Sequence, residues 1–236
     1  MKKNIYKASD RGHADHGWLN TWHSFSFANY YDPDKISFGK LRVVNDDTVA
    51  PGKGFGMHPH DNMEIITIPL SGALEHKDSM GNSGVIKTGE IQIMSAGSGI
   101  YHSEFNHSKD EEVSLLQIWV IPDKRDVDPR YDQFAYDKSK TLNNLYQVIS
   151  PEKHDQGSWI HQQTWFSLGE LDEERVLRYS LKKQGNGIYL FIIEGKIETC
   201  DVILEKRDAI GITESEEIEI KSLDKSKILL IEVPIT

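Results

Sequence analysis

The strongest constraint on this chain is its punctuation. Apolar residues come in short runs, at 41–44, 64–70, 90–94, 113–121, 187–194, 197–204 and 227–233, most of them bounded by Gly, Asn, Asp or Ser. Runs this short and this firmly bounded by turn residues read as β-strands rather than amphipathic helices. An all-β fold follows, with one short helical segment expected around 137–145. A chain of 236 residues that is 38% hydrophobic can fill two β units of ordinary size. The charged, proline-bearing stretch 122–136 separates two strand-rich regions, so units of 1–138 and 139–236 are expected. Segment 187–195 echoes segment 63–72 as a strand ending in a glycine turn, which suggests that the halves share one plan.

Charge removes one class of partner. With 27 basic and 37 acidic side chains, and no basic excess in either half, the chain lacks the field that phosphate backbones require. No uncharged apolar stretch is long enough to cross a bilayer, and the start MKKNIYKASDRGH has no apolar segment of the kind that directs secretion. The single cysteine, Cys200, has no intramolecular disulfide partner and sits in a strand-like run with no histidine nearby, so it reads as a packing residue. A cytoplasmic protein without direct contact to nucleic acid or membrane is expected. The acidic run 214–219 reads as a solvated sheet edge.

Histidine marks the chemistry. Eight of the ten histidines fall in the first 107 residues, leaving only His154 and His161 to the second half. In His58-Pro59-His60 an extended backbone turns residues i and i+2 to one face, about 6.6 Å apart, which is the spacing of two ligands to one ion. His102-Ser103-Glu104 repeats that geometry behind the turn-forming Gly97-Ser98-Gly99. Two strands with two ligands each make a site of His58, His60, His102 and Glu104. Such a nitrogen and oxygen set suits a divalent first-row metal with coordination positions left open. Other motifs fail: the glycines at 52, 54 and 56 match neither a dinucleotide fingerprint nor a phosphate loop, and Ser98 lacks the flanking glycine of a nucleophile elbow.

These residues carry a resemblance to the cupin superfamily and, within it, to the pirin family. Gly52, His58, His60 and Glu64 are spaced as in the first cupin motif; Gly99, His102 and Asn106 resemble the end of the second, with Gly97 where a proline is usual. The phrases HADHGWL (13–19), FSFANYYDP (25–33), EHKDSMGN (75–82) and IMSAGSGIYHSE (93–104) are similar to pirin sequences, and beyond about residue 140 the likeness fades to general shape. The resemblance implies two tandem jelly-roll β-barrels with little helix and one metal in the first. It puts the ligands on His58, His60, His102 and Glu104. Glu64 stands where many other cupins have a ligand; in pirin-like proteins the carboxylate comes from the second motif, so Glu64 is expected to support a ligating imidazole instead. His76 and Gln117 are further candidates for that support. His13, His16 and His23 are expected to be structural.

The activity this resemblance implies is that of quercetin 2,3-dioxygenase, in which a metal-dependent enzyme opens a flavonol ring with O2. Glu104 is then the proton acceptor, with Glu64 as its substitute. Fe(II) is the expected ion, although the same donors accept Mn, Co, Ni, Cu or Zn. Two alternatives stay open: a different enediol or polyphenol substrate, or a non-catalytic, metal-dependent redox sensor that binds a protein partner. An enzyme requires a roomy cavity beside the metal; a sensor does not.

Overall fold

The computed structural model describes residues 1–236. It consists of two sandwiches, each made of one seven-stranded and one four-stranded sheet. In the first, the large sheet runs Arg130–Ala135, Glu90–Ser95, Glu64–Ser71, Val113–Val120, Leu41–Val49, Leu19–His23 and Gly12–Asp15. Its small sheet runs Gly54–His60, Ile100–Asn106, Ala73–Asp78 and Ser83–Lys87. The second large sheet runs Lys2–Tyr6, Ala209–Thr213, Asn186–Glu194, Ser226–Pro234, Trp165–Leu171, Tyr146–Ser150 and Ser158–Trp159. Its small sheet runs Val176–Ser180, Glu217–Ser222, Lys196–Thr199 and Val202–Glu205. This is the expected all-β, jelly-roll architecture twice over. Glu64–Ser71 and Asn186–Glu194 hold the same position, third from the edge, in their large sheets, which is the structural form of the echo in sequence.

Three expectations change. The helix around 137–145 is a single 3-10 turn, Lys138–Thr141, with the Asp137 carboxylate accepting from the backbone N–H of Ser139. The acidic segment is not a sheet edge: Glu217–Ser222 lies inside its four-stranded sheet, with Ile218 and Ile220 buried and Glu217 and Glu219 alternating outward to solvent. The first strand, Lys2–Tyr6, belongs to the sheet of the second half, where it pairs antiparallel with Ala209–Thr213. Cys200 is half-buried against the second barrel's core.

The large sheets pack back to back. Ile66, Ile93 and Ile118 from the first meet Phe166, Phe191 and Leu229 from the second in one core of 23 buried residues, so the main apolar core lies between the halves. The opposite faces of the two large sheets differ in kind. Inside the second barrel, Leu190, Ile192, Ile210, Ile220 and Leu230 form a continuous aliphatic filling. Inside the first, apolar packing is confined to two small clusters, around Val49 and Leu115 and around Ile65 and Met94. Between them Thr67, His76, Gln92, His102 and Glu104 are buried. Burying such groups costs free energy unless each finds a partner, so the polar filling of the first barrel is where function is to be sought.

Candidate metal centre

The small sheet of the first barrel positions the site. His102 pairs directly across from His58, and Ile100 from His60, so the three imidazoles face one another from adjacent strands. Their ring centroids form a triangle with sides of 4.4, 4.8 and 4.9 Å. The register then slips between His102 and Glu104, which sets Glu104 opposite Phe55 and away from the His58–His60 pair. On the other flank of the same strand Glu104 pairs with His76, and His102 with Asp78. Ligand atoms of His58, His60 and His102 lie within 4.8 Å of one another, and so do those of His76, His102 and Glu104. The four expected ligands are therefore brought together around His102 as two overlapping groups, with His76 added.

Each group is prepared for a lone-pair role. The His58 Nδ1–H donates to the Gly56 carbonyl at 2.7 Å, which leaves Nε2 as the free nitrogen. Burial and the neighbouring His58 pull the His60 pKa down to about 4. Burial, then His58, His60 and His76, pull that of His102 down to about 2. Both rings are neutral in the physiological range. Burial pushes the Glu104 carboxyl up to about 7, against the hydrogen bonds that favour its anion. The Gln117 amide donates to one of its oxygens at 2.9 Å and the Thr67 hydroxyl to the other at 3.3 Å.

His102 provides the test of fit to a cation. It is 1% exposed, and neither of its ring nitrogens has a hydrogen-bond partner in the chain. An imidazole so fully buried is normally satisfied. Orphan nitrogens at the meeting point of four other ligand-bearing side chains fit a bound divalent ion, and the three-imidazole, one-carboxylate donor set fits a first-row metal.

Glu64 is not brought to this group. Its carboxylate accepts from Ser95 Oγ at 2.7 Å and from His161 Nδ1 at 3.1 Å, a residue of the second half. Side chains alternate across the Glu64–Ser71 strand: Ile65 joins the cluster inside the barrel and Thr67 reaches Glu104, so Glu64 and Ile66 face the opposite side, toward the other half. The Gly56 carbonyl does for His58 what Glu64 was expected to do. Gln117 does reach the site, through Glu104.

A cavity of about 500 Å³, within the range of small-molecule sites, lies near the centre, separated from the imidazoles by aromatic side chains. His13, His16 and His23 line it, together with Trp18, Phe27, Asn45, Asp47 and Phe55. Its walls lead to the imidazoles: Phe27 packs edge-on to Trp119 at 5.3 Å, Trp119 to His60 at 4.9 Å, and Phe55 lies 6.4 Å from His58. The polar part of this lining, Asn45 and Asp47, and the polar groups around Glu104, Thr67, Gln92 and Gln117, leave a signal in sequence as isolated polar residues at inward positions of apolar strands.

Comparison with known proteins agrees with this geometry. A family model described as Pirin matches residues 5–120, and one described as Quercetinase C-terminal cupin domain matches residues 147–233. The chain is 41% identical over 234 residues to a quercetin 2,3-dioxygenase of Escherichia coli strain K12, covering 98% of each protein. It is 38% identical over 222 residues to a pirin-like protein of Caulobacter vibrioides, covering 94% of this chain and 95% of that one. Among solved structures, YhhW from Escherichia coli superposes with a TM-score of 0.95 at 39% identity, covering 100% of this chain and 99% of that one. A bacterial pirin YhhW in complex with nickel(II), from the same organism, gives 0.94 at 38% identity over the full length of both chains. Two β-barrels with a histidine-rich centre in the first define a cupin protein. The chain belongs to the pirin family.

Proposed function

We propose that this chain is a metal-dependent dioxygenase that opens flavonols such as quercetin with O2. In this reading residues 1–138 are the catalytic unit and residues 139–236 the supporting one. The observation that carries it is His102, a buried imidazole with two unpartnered nitrogens, set among His58, His60 and Glu104 beside a cavity with aromatic walls. The full-length likeness to a protein named quercetin 2,3-dioxygenase supports the substrate class, and the nickel complex of a similar protein supports a divalent ion.

His58, His60, His102 and Glu104 would hold one ion, Fe(II) in first place. When bound, that ion supplies Lewis acidity toward a substrate hydroxyl and a position for dioxygen beside the ring. The chain's own groups do the rest. Trp18, Phe27 and Phe55 offer faces and edges against which flat aromatic rings pack. Glu104, once loosened from the ion, takes the proton of the substrate hydroxyl. Gln117 and Thr67 hold the two oxygens of that carboxylate and so aim it. Glu64, turned to the other face of its sheet, has no part in proton transfer. A roomy cavity also favours the enzyme over a sensor that needs none.

The test is quercetin consumption under air by metal-loaded wild type and His60→Ala. Loss of turnover in the variant with its fold intact supports the reading; equal rates in the two refute it.

A further inference from the structure

His76 is better prepared to bind a cation than its place outside the expected ligand set suggests. It is fully buried, and its Nε2 faces the Asp78 carboxylate at 3.2 Å. That carboxylate is itself fixed by the backbone N–H groups of Met80 and Asn82 and by the Asn82 amide. A carboxylate bound to one ring nitrogen sets the tautomer and leaves the other as a lone pair, the arrangement metal-ligating histidines typically have. The remaining nitrogen, Nδ1, has no partner in the chain. The ring is held in place by stacking on Tyr131, with centroids 4.6 Å apart. Strand register puts His76 directly across from Glu104, and ligand atoms of His76, His102 and Glu104 converge within 4.8 Å.

Resting on the reading that this barrel holds a metal, we propose that His76, His102 and Glu104 form a second, inner cation position, alternative to the one that includes His58 and His60. The two positions share His102 and Glu104. A neutral imidazole has one lone pair and so serves one position at a time. One ion per chain therefore has two seats, the outer near the cavity and the inner against Asp78 and Tyr131. The chemistry of the inner seat, two imidazoles and a carboxylate, selects the same class of divalent first-row ion.

Cobalt(II) is the probe, because its visible absorption reports ligand number and type without substrate. Binding is measured on the full chain by metal analysis and absorption for wild type, the double variant His58→Ala/His60→Ala, and that double variant with His76→Gln added. Glutamine keeps a donor for Asp78 while removing the Nδ1 lone pair, and circular dichroism and melting confirm that each variant is folded. The expected result is one cobalt per wild-type chain, one bound more weakly and with a changed spectrum in the double variant, and at least a tenfold further weakening when His76→Gln is added. A folded double variant that binds no cobalt, or binds it equally well without His76, overturns the inner position alone. A wild type that binds no cobalt overturns the metal-dependent reading with it.

Discussion

Asp47 gives the polar interior of the first barrel a quantitative test. Its carboxyl is 4% exposed, lines the cavity and accepts from the Thr21 hydroxyl. Burial lifts its pKa from 3.8 to about 7; the Thr21 hydrogen bond opposes the rise, and Asp46 and Glu104 add to it. Between those two values the folded chain keeps a proton that the unfolded chain has released, so raising the pH favours unfolding. At about 1.4 kcal/mol for each tenfold change in proton affinity, the whole effect is on the order of 4 kcal/mol, absent below pH ~4 and complete above pH ~7. Asp47→Asn keeps the shape and the acceptor for Thr21 but has no proton to lose. By pH 5 wild type has already lost ~1.6 of those ~4 kcal/mol, so the stability gap in favour of the variant should widen by a further ~2.5 kcal/mol between pH 5 and pH 8. The assay is urea unfolding followed by tryptophan fluorescence from pH 5 to 8, with a chelator present so that ion binding does not enter the equilibrium. The contribution of Glu104 is common to both proteins and cancels to first order in their difference. Parallel pH profiles, or a variant less stable than wild type at pH 8, would refute the reasoning.

Three further outcomes follow from the geometry. Gln117→Leu removes a donor to Glu104 and should weaken metal affinity by roughly 10–100-fold at unchanged stoichiometry, measured by chelator competition. A double-mutant cycle on Glu64→Ala and His161→Ala should give a coupling of ~1–2 kcal/mol in unfolding, because the buried Glu64 meets a half-buried His161 and the pair joins the two halves; additive effects would deny the link. Gly97 has φ +50° and a Cβ there would meet the Val127 carbonyl, so Gly97→Pro, which restores the residue usual in cupins, should abolish soluble expression, and Gly97→Ala should lower stability by ~1–3 kcal/mol in a thermal melt.

What could be read from sequence and what could not divide along a physical line. Strands, turns and the paired ligands were legible because each depends on residues one to four apart: the i, i+2 spacing of His58 and His60 needs only an extended backbone. The face to which Glu64 points depends on more. Between His60 and Glu64 the chain passes through Asn62 in the left-handed region, at φ +46°, and such a turn resets the alternation of side chains. No count along the sequence carries across it. The division of the ligands around His102 depends on the slip in register after His102, which involves a strand more than 40 residues away. His76 acquired its importance from pairing with Glu104, a relation of tertiary structure. The fate of the acidic run was hidden for the same reason, since whether a strand lies at an edge is decided by its neighbours.

The placement of Lys2–Tyr6 has a consequence for synthesis. These residues leave the ribosome well before their partners, Ala209–Thr213, which are made some 200 residues later. At a translation speed of about 5–20 residues per second the leading segment waits roughly 10–40 s without a sheet to join. The metal-bearing barrel lies wholly within that interval of the chain. It can close on its histidines while the apolar back of its large sheet is still bare, and the second half then covers that back and receives the waiting strand in one event.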